Sequence, residues 1–159
     1  MSWEYSENKL VQDSAGNLLQ NELQWDVKYA FNQEILGEDG TFGRKSYREI
    51  LLKRYVKEAL KRLNAWITPV QIDEALNTLE RRLSTSELIQ INEEKYSLIR
   101  DGIDVSIKNA KGDISTKKAL LIDFNNPDNN YFLAVKELKI HGEIYRRRTD
   151  IVGFVNGIP

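Results

Sequence analysis

The residues with the most chemical promise lie near the end of the chain. Asp150 stands at the head of an apolar stretch, Ile151-Val152-Gly153-Phe154-Val155, and follows Arg146-Arg147-Arg148-Thr149. A carboxylate at a strand entrance, with a return strand to follow, suits a hydrolytic metal site. A second strand could bring another carboxylate and a lysine beside the first, and Mg²⁺ takes one or two carboxylates together with waters and phosphate oxygens. The competing reading makes Asp150 a turn cap or an arginine partner. The three arginines are open to the same division: they meet phosphates, or they pair with acidic surface groups.

Other chemistries are excluded by composition. The 159 residues contain no cysteine and one histidine, His141. Thiol catalysis, disulfide scaffolds, Cys-ligated metals and His-rich metal sites are therefore out. A Ser–His–Asp triad would need His141, which reads better as a strand-end residue. Net charge is −1, from 23 basic and 24 acidic groups, so the chain lacks the overall basic excess common in nucleic-acid binders. Basic pairs such as Lys53-Arg54 and Lys61-Arg62 fall in helical patterns and read as solvated faces, although Lys53, Lys57 and Lys61 could line a DNA path. No apolar run reaches the roughly 18 residues of a membrane span. The start, Met1-Ser2-Trp3-Glu4-Tyr5, lacks the regions of a secretory signal, and a cytoplasmic location is expected.

The elements that must position Asp150 follow from periodicity. Leu10, Val11, Ala15, Leu18 and Leu19 predict a helix over 6–23, capped by Ser6 and weakened by Gly16. Trp25 to Phe31 alternates like a half-buried strand. A second helix is predicted from Lys45 to Leu63, stopped by Asn64. Thr68-Pro69-Val70-Gln71 and Ser84-Thr85-Ser86-Glu87 read as capping boxes opening two more helices. After Gly102 the period changes to two: Ile103, Val105 and Ile107 predict a strand, with a partner over 119–124 beyond the Asn109–Asp113 loop. Phe132 to Ile140 reads as a further strand. Asn156-Gly157 then signals a hairpin turn, because a type I′ turn needs positive φ at both central residues. Two residues follow it, so the chain is expected to stop inside a supersecondary unit.

Two stretches resemble a known family. Asp123-Phe124-Asn125-Asn126-Pro127-Asp128-Asn129-Asn130-Tyr131-Phe132-Leu133-Ala134-Val135 is similar to a D-x-x-N-P-x-x-N-x-F-x-A-V stretch of type I restriction–modification restriction subunits. Arg146 to Pro159 resembles the R-R-P-D-I-V-x-F-V-N-G-x-P that follows in the same subunits. Gly40-Thr41-Phe42-Gly43-Arg44, Leu63-Asn64 and Ser6 to Val11 also fit, in order.

The resemblance implies an α/β fold of the restriction-endonuclease-like PD-(D/E)xK class, a mixed sheet flanked by helices. Residues 1–159 would be the N-terminal part of that endonuclease domain, C-terminally truncated just before the Glu-x-Lys strand. It implies Mg²⁺-dependent cleavage of foreign double-stranded DNA by the intact subunit, with modification and specificity subunits as partners. ATP would serve motor domains absent here, since no phosphate-binding Gly-x-x-x-x-Gly-Lys-[ST] loop occurs. Asp150 would be the catalytic metal ligand, Glu7 a second ligand from the first helix, and Arg146, Arg147 and Arg148 DNA contacts. Gln12 stands where related chains often carry Glu, and Thr149 replaces a proline. By itself the chain is expected to be inactive. The alternative is a non-catalytic DNA-binding or docking module of a restriction assembly, told apart by whether the parent gene continues into a Glu-x-Lys.

Overall fold

Leu133, Ala134 and Val135 have no exposed surface, and the strand that carries them organises the part of the protein around Asp150. The computed structural model describes residues 7–81, 87–109 and 111–159. The elements are α1 (Glu7–Asn21), β1 (Asp26–Tyr29), α2 (Lys53–Leu63), α3 (Pro69–Glu80), α4 (Leu88–Asp101), β2 (Ile103–Lys108), β3 (Ile114–Ala119), β4 (Phe132–Lys136), β5 (Lys139–His141), β6 (Arg146–Arg148) and β7 (Ile151–Val155). They form two compact units. One comprises residues 1–54 and 131–159, the other 55–130.

The first unit is built on a mixed sheet ordered β1-β4-β7. β1 runs parallel to β4, pairing Asp26 with Leu133 and Tyr29 with Lys136. β7 runs antiparallel on the other side, pairing Val155 with Phe132 and Ile151 with Lys136. α1 packs on β1 and β4. The face it turns inward is not its apolar stripe: Leu10, Val11 and Leu18 are each more than half exposed, whereas Gly16 is buried. A Cβ on Gly16 would lie 3.4 Å from Lys136 Cδ and 3.7 Å from Val27 Cγ1. The glycine that weakens the helix is thus the point where it approaches the sheet. Gly153 has a related role, since a Cβ there would come within 3.1 Å of the Trp25 ring.

Two expectations in this unit need correction. The single strand expected over 132–140 is broken at Glu137, whose φ of 55° leaves the extended region. Its N–H is donated to Asp150 O at 2.9 Å, and the chain then re-forms as β5, paired with β6 in a separate two-stranded ribbon. The helix expected from Lys45 begins only at Lys53. Side chains compete for the intervening backbone: Glu49 Oε2 accepts from Lys45 N–H at 2.8 Å, and Arg44 Nη1 donates to Glu49 O at 2.9 Å. Such local bonds offer the chain an alternative to the helix.

The second unit holds α3, α4 and the β2–β3 hairpin. α3 starts at Pro69 as predicted, with Gln71 Oε1 accepting from Thr68 N–H at 2.9 Å. Lys95 of α4 closes its other end by donating to Leu79 O and Arg81 O, each at 2.8 Å. The Ser84–Ser86 part of the second capping box and the Ser6 cap lie outside the described residues. β3 covers 114–119, not 119–124, and all of it but Ala119 is exposed. Hydrophobicity is therefore a poor guide to this strand. Its end is set by buried Asn64, which stops α2 and pairs with Leu120 like a strand, accepting from Leu120 N–H and donating to Leu120 O, both at 2.9 Å.

The Asn156-Gly157 turn is present, with φ of 52° and 85°. Val155 and Ile158 exchange both backbone hydrogen bonds at 2.9 Å. Asn156 does more than turn the chain, because its buried Oδ1 accepts from Tyr131 N–H at 2.8 Å at the head of β4. Asn156→Gly is expected to keep the turn but lose about 1–3 kcal/mol through the orphaned donor. Asn156→Ala adds the strain of positive φ, about 1 kcal/mol more. Urea denaturation of the two variants checks the order; equal stability of Gly and wild type would remove the Tyr131 contact from the account.

Candidate functional site

Asp150 occupies the corner between β6 and β7, and both its main chain and side chain are held. Its carbonyl accepts from Glu137 N–H, and the neighbouring Thr149 N–H donates to Leu138 O at 3.0 Å. These bonds use the break after β4 to fix the head of β7. The carboxylate is exposed, and its Oδ1 accepts from Gln12 Nε2 of α1 at 2.7 Å. Oδ2 accepts no hydrogen bond among the described residues. One turn of the same helix face contributes further. Asp13 pairs with Lys136 at the end of β4, and Gly16, one turn on, faces Lys136 and Val27 of the sheet.

Glu137 links this corner to β1. Its Oε2 accepts from Tyr29 Oη at 2.7 Å, and its Oε1 is 4.0 Å from Arg148 Nη2. The hydrogen bond to Glu137, followed by desolvation and that carboxylate's charge, holds the Tyr29 phenol above its ordinary value. Neither Tyr29 nor Glu137 stood out in the sequence. Their only signal was position at the ends of adjacent parallel strands.

Glu7 is the first residue of α1, and its side chain lies outside the described residues. Gln12 sits five positions further, about 7.5 Å along the axis and about 140° around it by helix geometry. Among the described residues, the α1 side chain that hydrogen-bonds Asp150 is Gln12. A carboxyl oxygen without a hydrogen-bond donor fits one ligand position of a hard cation. Among the described residues no three His, Asp or Glu side chains gather into a metal cluster. Gln12→Glu tests the geometry directly. Two facing carboxylates repel, so the variant should melt below wild type in chelator and recover in millimolar Mg²⁺, the cation raising its Tm more than it raises the wild type's. Identical Mg²⁺ responses would show that the Gln12–Asp150 pair is no cation position.

The arginines form β6 and are all exposed. In the ribbon Lys139 faces Arg148, Ile140 faces Arg147, and His141 faces Arg146. Arg148 lies 4.6 Å over the Phe31 ring, and Arg147 lies 5.5 Å over the Tyr145 ring. Neither Arg146 nor Arg147 has a carboxylate within ion-pairing distance among the described residues. His141 closes β5 and packs against Tyr47, with ring centroids 4.9 Å apart and planes tilted at 56°, as a strand-end residue would. Lys53 and Lys57 are paired instead with Glu49 at 3.6 Å and Asp73 at 3.2 Å.

The Asp123–Asn130 stretch, so distinctive in sequence, is structural. The Asp123 carboxylate accepts from Asn125 and Asn126 N–H, each at 3.0 Å, and from Asn129 Nδ2 at 2.8 Å. The Asn129 bond, then the backbone donors, hold its carboxyl below the usual range. Asn130 completes the loop, its Oδ1 accepting from Asp123 N–H and its Nδ2 donating to Asp123 O.

A family described as type I restriction enzyme R protein N terminus matches residues 4–159. The type I restriction enzyme HindI endonuclease subunit of Haemophilus influenzae is 28% identical across 86% of this chain. A Methanocaldococcus jannaschii protein named "Putative type I restriction enzyme MjaIXP endonuclease subunit" is 28% identical across 97% of it. The matched regions are 13% and 14% of those two relatives.

Proposed function

The chain belongs to the type I restriction enzyme R protein N-terminal family, and from that premise we propose that it forms the leading part of a DNA-cleaving domain in a restriction subunit. The observation that carries this reading is Asp150: an exposed carboxylate at the entrance of β7, its main chain clasped by Glu137 and its side chain steadied by Gln12. The mixed sheet with α1 packed on it is compatible with a PD-(D/E)xK nuclease, whose Glu-x-Lys would lie on the strand after the Asn156-Gly157 turn.

In this reading Asp150 holds Mg²⁺ through Oδ2, with further ligands from polypeptide beyond Pro159. The bound ion would supply Lewis-acid polarisation of a phosphate and a water of lowered pKa. Gln12 orients the carboxylate. Arg146 and Arg147, which have no carboxylate partner among the described residues, are placed to hold phosphates. The modification and specificity subunits and ATP-driven motor domains belong to the assembly around the whole subunit.

The test is cleavage of supercoiled plasmid by the full-length subunit assembled with those partners, in ATP and Mg²⁺. Linear product that disappears with chelator is expected. Absence of any Mg²⁺-dependent cleavage would leave the docking-module reading in its place. The isolated chain stops before the expected Glu-x-Lys strand, holding Asp150 with Glu7 as its second proposed ligand, and is expected to leave plasmid DNA intact; nicking above background would show that its site needs no other ligands.

A further inference from the structure

The β5–β6 ribbon carries more than three arginines. Its loop places Ile144 and Tyr145 at the tip, 83% and 65% exposed. Two neighbouring apolar side chains held in water beside three cations do not suit a solvated hairpin. Between 139 and 148 the chain has Lys139, His141, Arg146, Arg147 and Arg148, against one acid, Glu143. The ribbon is thus a narrow basic finger with an apolar end.

We propose that this hairpin lies in the major groove of duplex DNA, seating Ile144 and Tyr145 against base edges while Arg146 and Arg147 grip the flanking phosphates. The inference rests on the proposal that the chain works on DNA, and it names the element that engages the duplex.

Three features carry it. The first is size. Paired strands are about 4.8 Å apart, and with side chains the ribbon approaches 10 Å. The major groove, about 12 Å wide, admits a two-stranded ribbon, whereas the minor groove is about 6 Å wide. The second is how the cations are held. Arg147 rests on Tyr145 and Arg148 on Phe31. A guanidinium over a ring is attracted to the π face without using its N–H donors, which remain for phosphate oxygens. The third is the footing of the finger. Arg44 Nη2 donates to Lys139 O at 3.1 Å, and His141 N–H donates to Tyr47 O at 2.9 Å. These bonds fix β5, so the tip is presented on a firm base. The apolar tip suits the thymine methyl group, which lines the major groove alone.

The experiment is fluorescence anisotropy of a labelled mixed-sequence duplex titrated with the protein, without Mg²⁺, over a range of salt. Wild-type protein is expected to bind at low salt. The R146Q/R147Q pair should bind about tenfold or more weakly, with the slope of log K against log salt reduced by roughly 0.9 per lost phosphate contact. The I144S/Y145S pair should bind several-fold more weakly with the slope unchanged, because its contacts are uncharged. Both pairs change exposed residues, and unchanged circular dichroism and Tm confirm their fold. Methyl green, a major-groove ligand, should compete; netropsin, a minor-groove ligand, should not. No duplex binding by wild type, full binding by I144S/Y145S, or displacement by netropsin alone overturns the proposal. Mg²⁺-dependent linearisation is scored separately by the assembled complex. Groove binding without cleavage would sink the nuclease reading alone, and cleavage without groove binding would sink this one alone.

Discussion

Asp150→Ala should abolish DNA cleavage by the assembled restriction complex while ATP hydrolysis continues. The residue's backbone contacts are main-chain bonds, from Glu137 N–H to Asp150 O and from Thr149 N–H to Leu138 O, and alanine keeps them. The exposed side chain contributes little packing. In the proposed site, what is lost is the charge that would hold a cation against a developing phosphate charge, a loss expected to cost on the order of 10³-fold in rate. Asp150→Asn sharpens the test. Its Oδ1 can still accept from Gln12 Nε2, so orientation survives and charge alone is removed. Asn and Ala variants should therefore be equally dead, with unchanged Tm. Cleavage retained by either would take Asp150 out of the site.

Glu34→Gln should be the most destabilising change to the first unit, by about 3–5 kcal/mol, since it leaves a buried guanidinium without its counter-charge. Arg44 is 1% exposed. It forms a two-pronged pair with Glu34, Nε to Oε1 at 2.8 Å and Nη2 to Oε2 at 2.6 Å. Nη1 also donates to Glu49 O and Nη2 to Lys139 O. The guanidinium thus ties the 34–49 segment to the foot of the basic ribbon. Replacing both partners with apolar residues, Arg44→Met with Glu34→Leu, should recover part of the loss, because a well-packed apolar pair needs no desolvation of charge. Urea unfolding of the three variants decides this. A Glu34→Gln loss below about 1 kcal/mol, the scale of an exposed pair, would mean that water reaches the guanidinium.

The buried guanidinium of Arg44 also bears on why residues 45–52 are not helical. Tyr47, Leu51, Leu52 and Tyr55 have helical spacing, yet residues 45–52 are not helical. Periodicity reports which side chains are apolar. It does not report that Arg44 has claimed the Glu49 carbonyl, which a helix would need for its i+4 bond. The apolar stripe of α1 likewise does not mark its inward face, which is the face that carries Gly16.

What the sequence by itself determined is local. The Asn156-Gly157 turn, the start of α3 at Pro69 and the place of Asp150 at the head of a strand all depend on residues within a few positions of one another, where φ preferences and capping bonds operate. The tertiary structure alone decided which side chain meets Asp150, which arginines lack a carboxylate partner among the described residues, and which face of α1 turns inward. Gln12 and Asp150 are 138 residues apart in the chain, and Arg44 is 95 from Lys139. Contacts of that span arise from how a sheet, a helix and a ribbon are brought together, and no local pattern of residue types encodes them.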